Sequence, residues 1–495
     1  MICVLTYQLF KFLFAVFKEA VILYAVIAIS VWACYESVLG LLQIYGLIQS
    51  NNSIFSLSGS FFNPNPYAGF LAVSSAVSLA CVIGHYGNNK ILNAICVVQL
   101  SLAAIIIPAT RCRSALCAFI VALAFVIWNN QLCRQFIRKN KIKITLSLMA
   151  LSVFLYYLKK PSADWRLFQD RISVMTILNN PFWGSGLGHY EGSASAAQLD
   201  YFSSIIKIND GQVLIPAKHS ADCRVSGRIQ FAFCDSLQIG VEAGVFTMVM
   251  YWLLVAASLL NLYRKRSPLF YGAVSLQVIS LFSYPLMLWQ NRLLFALMVG
   301  ESAGYGLDPK SKPGLFADLG LMFLSIAVLL YCCPKMTLVR QNESAWEFDR
   351  YFFNKKEYEL YCRYCEDKMS SLDCNEDFLM EYGIALSETG NYELSDSVLS
   401  VGFRFSGNPS FKILLGDNSV LKKDYVKAEM YYWDSFCCIP DRLFPLSRLA
   451  GLYETNGKSD CLNNLKRFVA GFHPRIESEL TELIREKIEN IKEYD

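Results

Sequence analysis

Charge is scarce in this chain, and histidine scarcer still. Asp, Glu, Lys and Arg make up 17% of the 495 residues, and there are 4 histidines. The net charge of +4 is too slight to serve nucleic-acid binding, and the cations gather at the ends of apolar runs instead. No Ser/His/Asp or metal-ligand spacing stands out, so no metal centre and no cofactor are expected. The glycines Gly184, Gly186 and Gly188 are followed by no helix signal, no phosphate-reading lysine and no βαβ pattern, which excludes Rossmann and P-loop readings. The apolar run 3–17 lacks a small-residue cleavage site and is expected to be a first membrane span rather than a removable signal peptide. Cysteine is plentiful, at 17, yet many lie inside apolar runs, where the thiol behaves as a small hydrophobe. Cys362 and Cys365 form a CxxC with no second pair, so a structural role is expected. Cys223 and Cys234 share one polar stretch and are the pair expected to bridge in an oxidising compartment.

What the chain has is apolar surface, unevenly spread. It is 54% hydrophobic, and nearly all of the long apolar runs lie before residue 335. Two domains follow: a polytopic transmembrane region, 1–334, and a soluble region, 335–495. About ten spans are expected, near 3–17, 20–48, 66–85, 91–108, 114–129, 142–158, 237–263, 268–288, 292–307 and 314–333. The segment 134–143 carries five cations and no acid, and Arg264-Lys265-Arg266 ends a later run, so both are read as cytoplasmic. The turn near 49–65, the corner at Arg111 and Arg113, and the polar stretch 159–235 then fall on the outer side. Two further crossings put the C-terminal region outside as well. Glu36 lies within a span, where an acid is either a functional group or a residue paired inside the bundle or near an interface.

The C-terminal region repeats. Gly383, Gly390-Asn391-Tyr392 and Ser395 recur as Gly416, Lys423-Asp424-Tyr425 and Ala428, an offset of 33, with a fainter copy around Leu449 to Lys458. Such a period reads as paired helices of tetratricopeptide type, either a concave surface for a protein partner or a stabilising cap.

The stretch 159–235 holds most of the chemistry-capable side chains of the apolar half. Loops longer than about 12–15 residues are usually functional or disordered, and the aromatic anchors here favour function. Arginine suits doubly charged phosphates, being planar, always ionised and able to bind two oxygens at once. Arg113 at the mouth of a span and Arg166 just past another are candidates for a diphosphate, or else interfacial anchors on lipid phosphates. His219 and His189 are candidate general bases. Arg224, Arg228 and Asp235 complete the polar stretch, and the Asn63 and Asn65 amides lie just outside the bilayer.

The order of these motifs resembles the O-antigen ligase and polymerase superfamily of bacterial envelope glycosyltransferases. Gly59-Ser60-Phe61-Phe62-Asn63-Pro64-Asn65-Pro66-Tyr67 looks like that family's extracytoplasmic Gly-x-Phe-x-Asn-Pro segment. Arg113-Ser114-Ala115 is similar to its Ser-Arg-small-small element, with Cys112 where the serine stands. Arg166 precedes Pro181-x-x-Gly184-x-Gly186-x-Gly188, like the arginine that opens the family's large loop. Asp235-x-Leu237-Gln238-Ile239-x-x-Glu242-x-Gly244 resembles the span that closes it, and Ser283-Tyr284-Pro285 also fits. Helical repeats after the last span occur in Bacteroides-type members. Many members carry a histidine just before the closing span, where this chain has Phe233. Family members also usually have several spans before the region of Glu36.

The resemblance implies an all-α, polytopic, metal-independent, inverting glycosyltransferase of the bacterial inner membrane with a periplasmic active face. It would take a polyprenyl-diphosphate-linked glycan as donor, with Arg113 and Arg166 on the diphosphate. His219, His189 or Asp235 would be the base, and Glu36, Asn63, Asn65, Arg224, Arg228 and Glu242 further residues of the outer face. The acceptor would be lipid A–core, a growing polysaccharide or, as an alternative, a protein hydroxyl. A transporter or flippase of lipid-linked sugars explains the outer arginines and Glu36 equally well. A non-catalytic envelope scaffold, recruiting a protein partner through the repeats, is the third class.

Overall fold

The computed structural model describes residues 2–17, 19–84, 89–128, 160–304 and 312–491, with isolated positions between 135 and 157. The segment 134–143 and the expected span 142–158 lie mostly outside the described residues, as does His85. The described chain is helical apart from one antiparallel hairpin, β1 (Lys207–Asn209) and β2 (Gln212–Leu214). It divides into two compact units. One comprises Met1–Lys160, Ala232–Ile239 and Phe246–Cys332; the other comprises Pro161–Phe231, Gly240–Val245 and Cys333–Asp495.

Among the described residues, five helices are long and apolar enough to cross a membrane: Ala20–Ile44, Pro64–Gly84, Lys90–Ala109, Asp235–Arg264 and Phe323–Asn354. Val4–Phe17, Arg113–Trp128 and Leu269–Ser280 are apolar but shorter. In the first unit α1 (Ile2–Phe17), α2 (Glu19–Ile44), α3 (Pro64–Gly84), α4 (Lys90–Ala109) and α5 (Arg113–Trp128) share one apolar core. Helix α3 is its centre: Tyr67, Phe70, Leu71, Val73 and Val77 are wholly buried, because small residues on its neighbours let backbones close around it.

The expected crossing at 268–288 is not one helix. Pro285 cannot donate to a helical ladder, so α10 (Leu269–Ser280) ends before it and a single 3-10 turn, Pro285–Met287, leads into α11 (Trp289–Gly304). Twelve helical residues span about 18 Å, short of the roughly 30 Å of hydrocarbon in a bilayer. Helix α11 packs along α1 through Gly300 and Gly304, where an added Cβ would lie 2.7 Å from Phe10 Cβ and 2.5 Å from the Lys11 carbonyl oxygen. This Gly-x-x-x-Gly pair brings the two backbones into contact.

The polar stretch expected as a loop is instead ordered helix in the second unit. It forms α6 (Lys160–Asn179), α7 (Tyr190–Ile205), the hairpin and a short α8 (Ser220–Val225). Helix α7 packs against the C-terminal helices Tyr392–Ser406 and Tyr425–Cys438. A Cβ on Gly192 would meet the Arg404 carbonyl oxygen at 1.9 Å, and Gln198 Nε2 donates to the Cys438 carbonyl at 2.5 Å. At the hairpin, Asn464 Nδ2 donates to the Asp210 carbonyl at 2.9 Å.

The C-terminal helices alternate with one recurring turn. Its left-handed residue is Lys356, Gly390, Lys423 and Gly457 in succession, at spacings of 34, 33 and 34. After each, the next backbone N–H reaches five residues back: Glu357 to Phe352, Asn391 to Leu386, Asp424 to Ser419 and Lys458 to Tyr453, at 2.8–2.9 Å. That bond satisfies a carbonyl the helix end would leave bare. Gly383 and Gly416 sit where the next helix crosses, against Leu399 and Tyr432. Cys365 is buried in the core with Trp346 and Tyr361.

Candidate functional site

In the first unit the site residues gather around the turn that joins α2 to α3. Glu36 and Gln43 stand two helical turns apart on one face of α2. Glu36 Oε1 accepts from Ser60 Oγ at 2.5 Å and from Trp32 Nε1 at 3.4 Å, and Oε2 accepts from the Ser60 backbone N–H at 3.0 Å. Gln43 Oε1 accepts from the N–H groups of Ser58 and Gly59, at 2.9 and 2.8 Å, while its Nε2 donates to the Gly59 carbonyl at 2.9 Å. Gly59 has φ +59°, and an added Cβ would meet the Tyr67 ring at 2.4 Å. Glu36, 1% exposed, is therefore a clamp on the turn.

That turn delivers Asn63 and Asn65. Asn63 Oδ1 accepts from the Asn65 N–H at 2.9 Å, closing an Asx turn ahead of Pro66. Cys112 Sγ lies 3.9 Å from the Asn65 carbonyl oxygen, which brings the Arg113 corner beside the asparagines. Trp32 stacks on Trp289 with ring centroids 5.4 Å apart, adding the start of α11 to the same end of this unit.

Asp235 opens α9 (Asp235–Arg264) and is 1% exposed. Its Oδ2 accepts from Ser280 Oγ at 2.7 Å and from the Leu286 N–H at 3.2 Å. The carboxylate thus caps, through Oδ2, a backbone group freed by the Pro285 break, while its Oδ1 has no hydrogen-bond partner among the described residues. Phe233 packs edge-on against Tyr284, centroids 5.4 Å apart. Cys234 and Cys223 are free thiols, so the expected bridge is absent; Cys234 Sγ lies 3.1 Å from Ser236 Oγ instead.

In the second unit the glycine-rich turn has a backbone partner. The N–H groups of Ser185 and Gly186 donate to the carbonyls of Val241 and Glu242 at 2.8 and 3.0 Å, and the Val245 N–H donates to Pro181 at 2.7 Å. Gly244 breaks the helical conformation of α9 with φ +82° and ψ 170°, and a Cβ there would sit 2.1 Å from the Phe182 carbonyl oxygen. Gly184 answers it, 2.5 Å from the Glu242 carbonyl carbon by the same construction. The glycines serve close backbone approach, and Glu242 contributes its carbonyl. His189 is exposed beside this turn and packs edge-on to Phe405.

His219 is the better-organised histidine. Its Nδ1 lies 3.2 Å from Tyr201 Oη and 3.4 Å from Asp222 Oδ2. Tyr201 donates to the same carboxylate oxygen at 2.5 Å, and Arg171 pairs with it at 2.8 Å. Burial pushes the Asp222 carboxyl up, but the bonds from Tyr201, Arg171 and His219 outweigh it and hold the group below its ordinary value. Burial, then the bond to Asp222, pushes the Tyr201 hydroxyl up to about 12. An ionised Asp222 fixes the imidazole with Nδ1 inward, which leaves Nε2 as the nitrogen that can take a proton. Asp222 and Tyr201 were not among the expected site residues, although His219-x-x-Asp222 at the start of a helix is a legible pairing.

The remaining arginines differ in kind. Arg228 is locked: its Nε bonds Glu191 at 2.6 Å and its NH2 bonds Glu376, which also accepts from Asn408. Arg224 is exposed on α8. Arg166 lies on α6 one turn before Asp170, whose carboxyl burial pushes up to about 6 against the pull of the Arg166 guanidinium. The same helix continues to Arg171 and, at Ser173, to a 2.8 Å contact with the Tyr190 hydroxyl. No protein-family model, curated protein or solved structure matches the chain.

Proposed function

We propose that this protein is a glycosyltransferase of O-antigen ligase or polymerase type, moving a glycan from a polyprenyl-diphosphate donor to an acceptor hydroxyl at the outer face of a bacterial inner membrane. The observation that carries the reading is the imidazole of His219 held by Asp222, 3.4 Å away, in the same compact unit as Arg166. It supplies a base to a chain that has Phe233 where the family's histidine is expected. The ordered motifs from Gly59 to Pro285 and the five long apolar helices support the membrane setting. The C-terminal helices, with their recurring turn, are read as a tetratricopeptide-type stack.

In this reading Nε2 of His219 takes the proton of the acceptor hydroxyl as its oxygen attacks the anomeric carbon. The bond from that carbon to the diphosphate breaks in the same displacement, which inverts the configuration. Arg166 stabilises the charge that grows on the departing diphosphate. The test is acceptor-dependent release of polyprenyl diphosphate from a lipid-linked glycan by purified protein. Release is expected from the wild type and is abolished in Arg166→Ala; release that persists in Arg166→Ala contradicts the assignment.

A further inference from the structure

Helix α6 buries a polar face. Arg166, Gln169, Asp170 and Ser173 follow at i, i+3, i+4 and i+7 and so lie within one arc of its surface. Phe168 lies off that arc and packs on α7, stacked on Phe202 at 5.7 Å. A buried polar face is expected to be paired, and part of this one is not. Gln169 is 1% exposed, yet among the described residues neither its Nε2 nor its Oε1 has a hydrogen-bond partner. The same is true of Asp170 Oδ1. Leaving such groups unmet destabilises the fold, so an occupant that meets them is the economical explanation.

The chemistry of the face narrows that occupant. An amide offers two donors and one acceptor oxygen, and a carboxylate offers acceptors alone. A phosphate would find donors in Gln169 but repulsion at Asp170. A metal cation would face the Arg166 guanidinium one turn away. A neutral group whose neighbouring hydroxyls both donate and accept meets all of these conditions.

We infer that the Gln169 and Asp170 face of α6 is a saccharide subsite, binding hydroxyls of the sugar that follows the diphosphate at Arg166. The inference rests on the glycosyltransferase reading and adds a recognition element to it. The subsite distinguishes a sugar-bearing lipid from the bare lipid diphosphate.

The test measures dissociation constants of the full chain in nanodiscs for two probes: a polyprenyl-diphosphate-linked N-acetylhexosamine and the bare polyprenyl diphosphate. The wild type is expected to hold the sugar-bearing lipid about tenfold tighter, the worth of one or two net hydrogen bonds. Gln169→Leu, which removes only unpaired polar atoms, should erase that preference without lowering the melting temperature or weakening the bare lipid. Asp170→Asn, close to isosteric, should reduce the preference at least threefold and provides the readout if the leucine variant folds poorly. A preference unchanged in both variants overturns the subsite and identifies the occupant as water. A wild type that turns over donor with no preference for the sugar-bearing probe overturns the subsite alone. A wild type that binds neither lipid removes the glycosyltransferase reading and the subsite together.

Discussion

Glu36 and Gln169 are both polar side chains almost wholly withdrawn from solvent, and they differ in what meets them. Each carboxylate oxygen of Glu36 accepts from a donor of its own chain, and Gln43 closes the same turn from two helical turns further along that face. Gln169 has neither amide atom met among the described residues. An acid inside an apolar helix invites a functional reading from the sequence, but saturated hydrogen bonding marks it as architecture. Unmet capacity on a helix of ordinary polarity is the stronger sign of a ligand. His219 lies between the two cases, with one ring nitrogen occupied by its partners and the other not engaged by them.

Substitutions in the two regions should therefore separate folding from activity. The largest effect is expected at Gly59→Val. Its φ of +59° disfavours a branched side chain, and the new Cβ would overlap the Tyr67 ring, so little folded protein should be recovered in detergent by size exclusion. Glu36→Leu strips Ser60 of both acceptors and should cost about 3 kcal/mol in denaturant-induced unfolding. Wild-type stability in that variant would end the view of Glu36 as a clamp. In the other region, Asp222→Asn should lower turnover about a hundredfold by releasing the imidazole. Its stability should change by no more than about 1 kcal/mol, because the Arg171 side of the pair is 45% exposed.

The smallest effect is a pH dependence. Asp170 in the folded chain titrates at about 6, above its ordinary 3.8, so the folded state holds a proton that the unfolded state has released. Stability should then fall as pH rises from about 4 to about 6 and stay lowered above that. Asp170→Asn should lessen the fall, equal the wild type at pH 4 and exceed it at pH 8 in thermal unfolding. A variant curve with the wild-type slope would place Asp170 in contact with solvent.

Much of the architecture was legible because it is written in composition. The apolar runs at Ala20–Ile44, Pro64–Gly84 and Lys90–Ala109 are helices, since a long apolar segment has few other ways to satisfy its backbone. The recurring turn at Gly390, Lys423 and Gly457 showed as a period near 33, and the copy at Lys356 was missed although Lys355-Lys356-Glu357-Tyr358 nearly repeats Lys422-Lys423-Asp424-Tyr425. Helix α6 was unreadable for a physical reason: its exposed stripe is Leu167, Arg171, Val174 and Leu178, mostly apolar, while polar Gln169 and Ser173 are buried, so no outward polar stripe marks the helix. The break at Pro285 was visible as a proline, but its capping by Asp235, 50 residues earlier in the chain, is a tertiary contact that no local pattern encodes. Gly300 and Gly304 were likewise hidden, as their role depends on α1 lying against them. For the site, residue type was legible and partnership was not: His219 and Arg228 were both candidates, and only the fold shows one held by a single carboxylate and the other locked between two.

The most direct test of the account is turnover and thermal stability measured on the same preparation of His219→Ala. Acceptor-dependent release of polyprenyl diphosphate should fall by a factor of about 100 or more while the melting temperature stays within a few degrees of wild type. Undiminished release from a folded His219→Ala protein would contradict it.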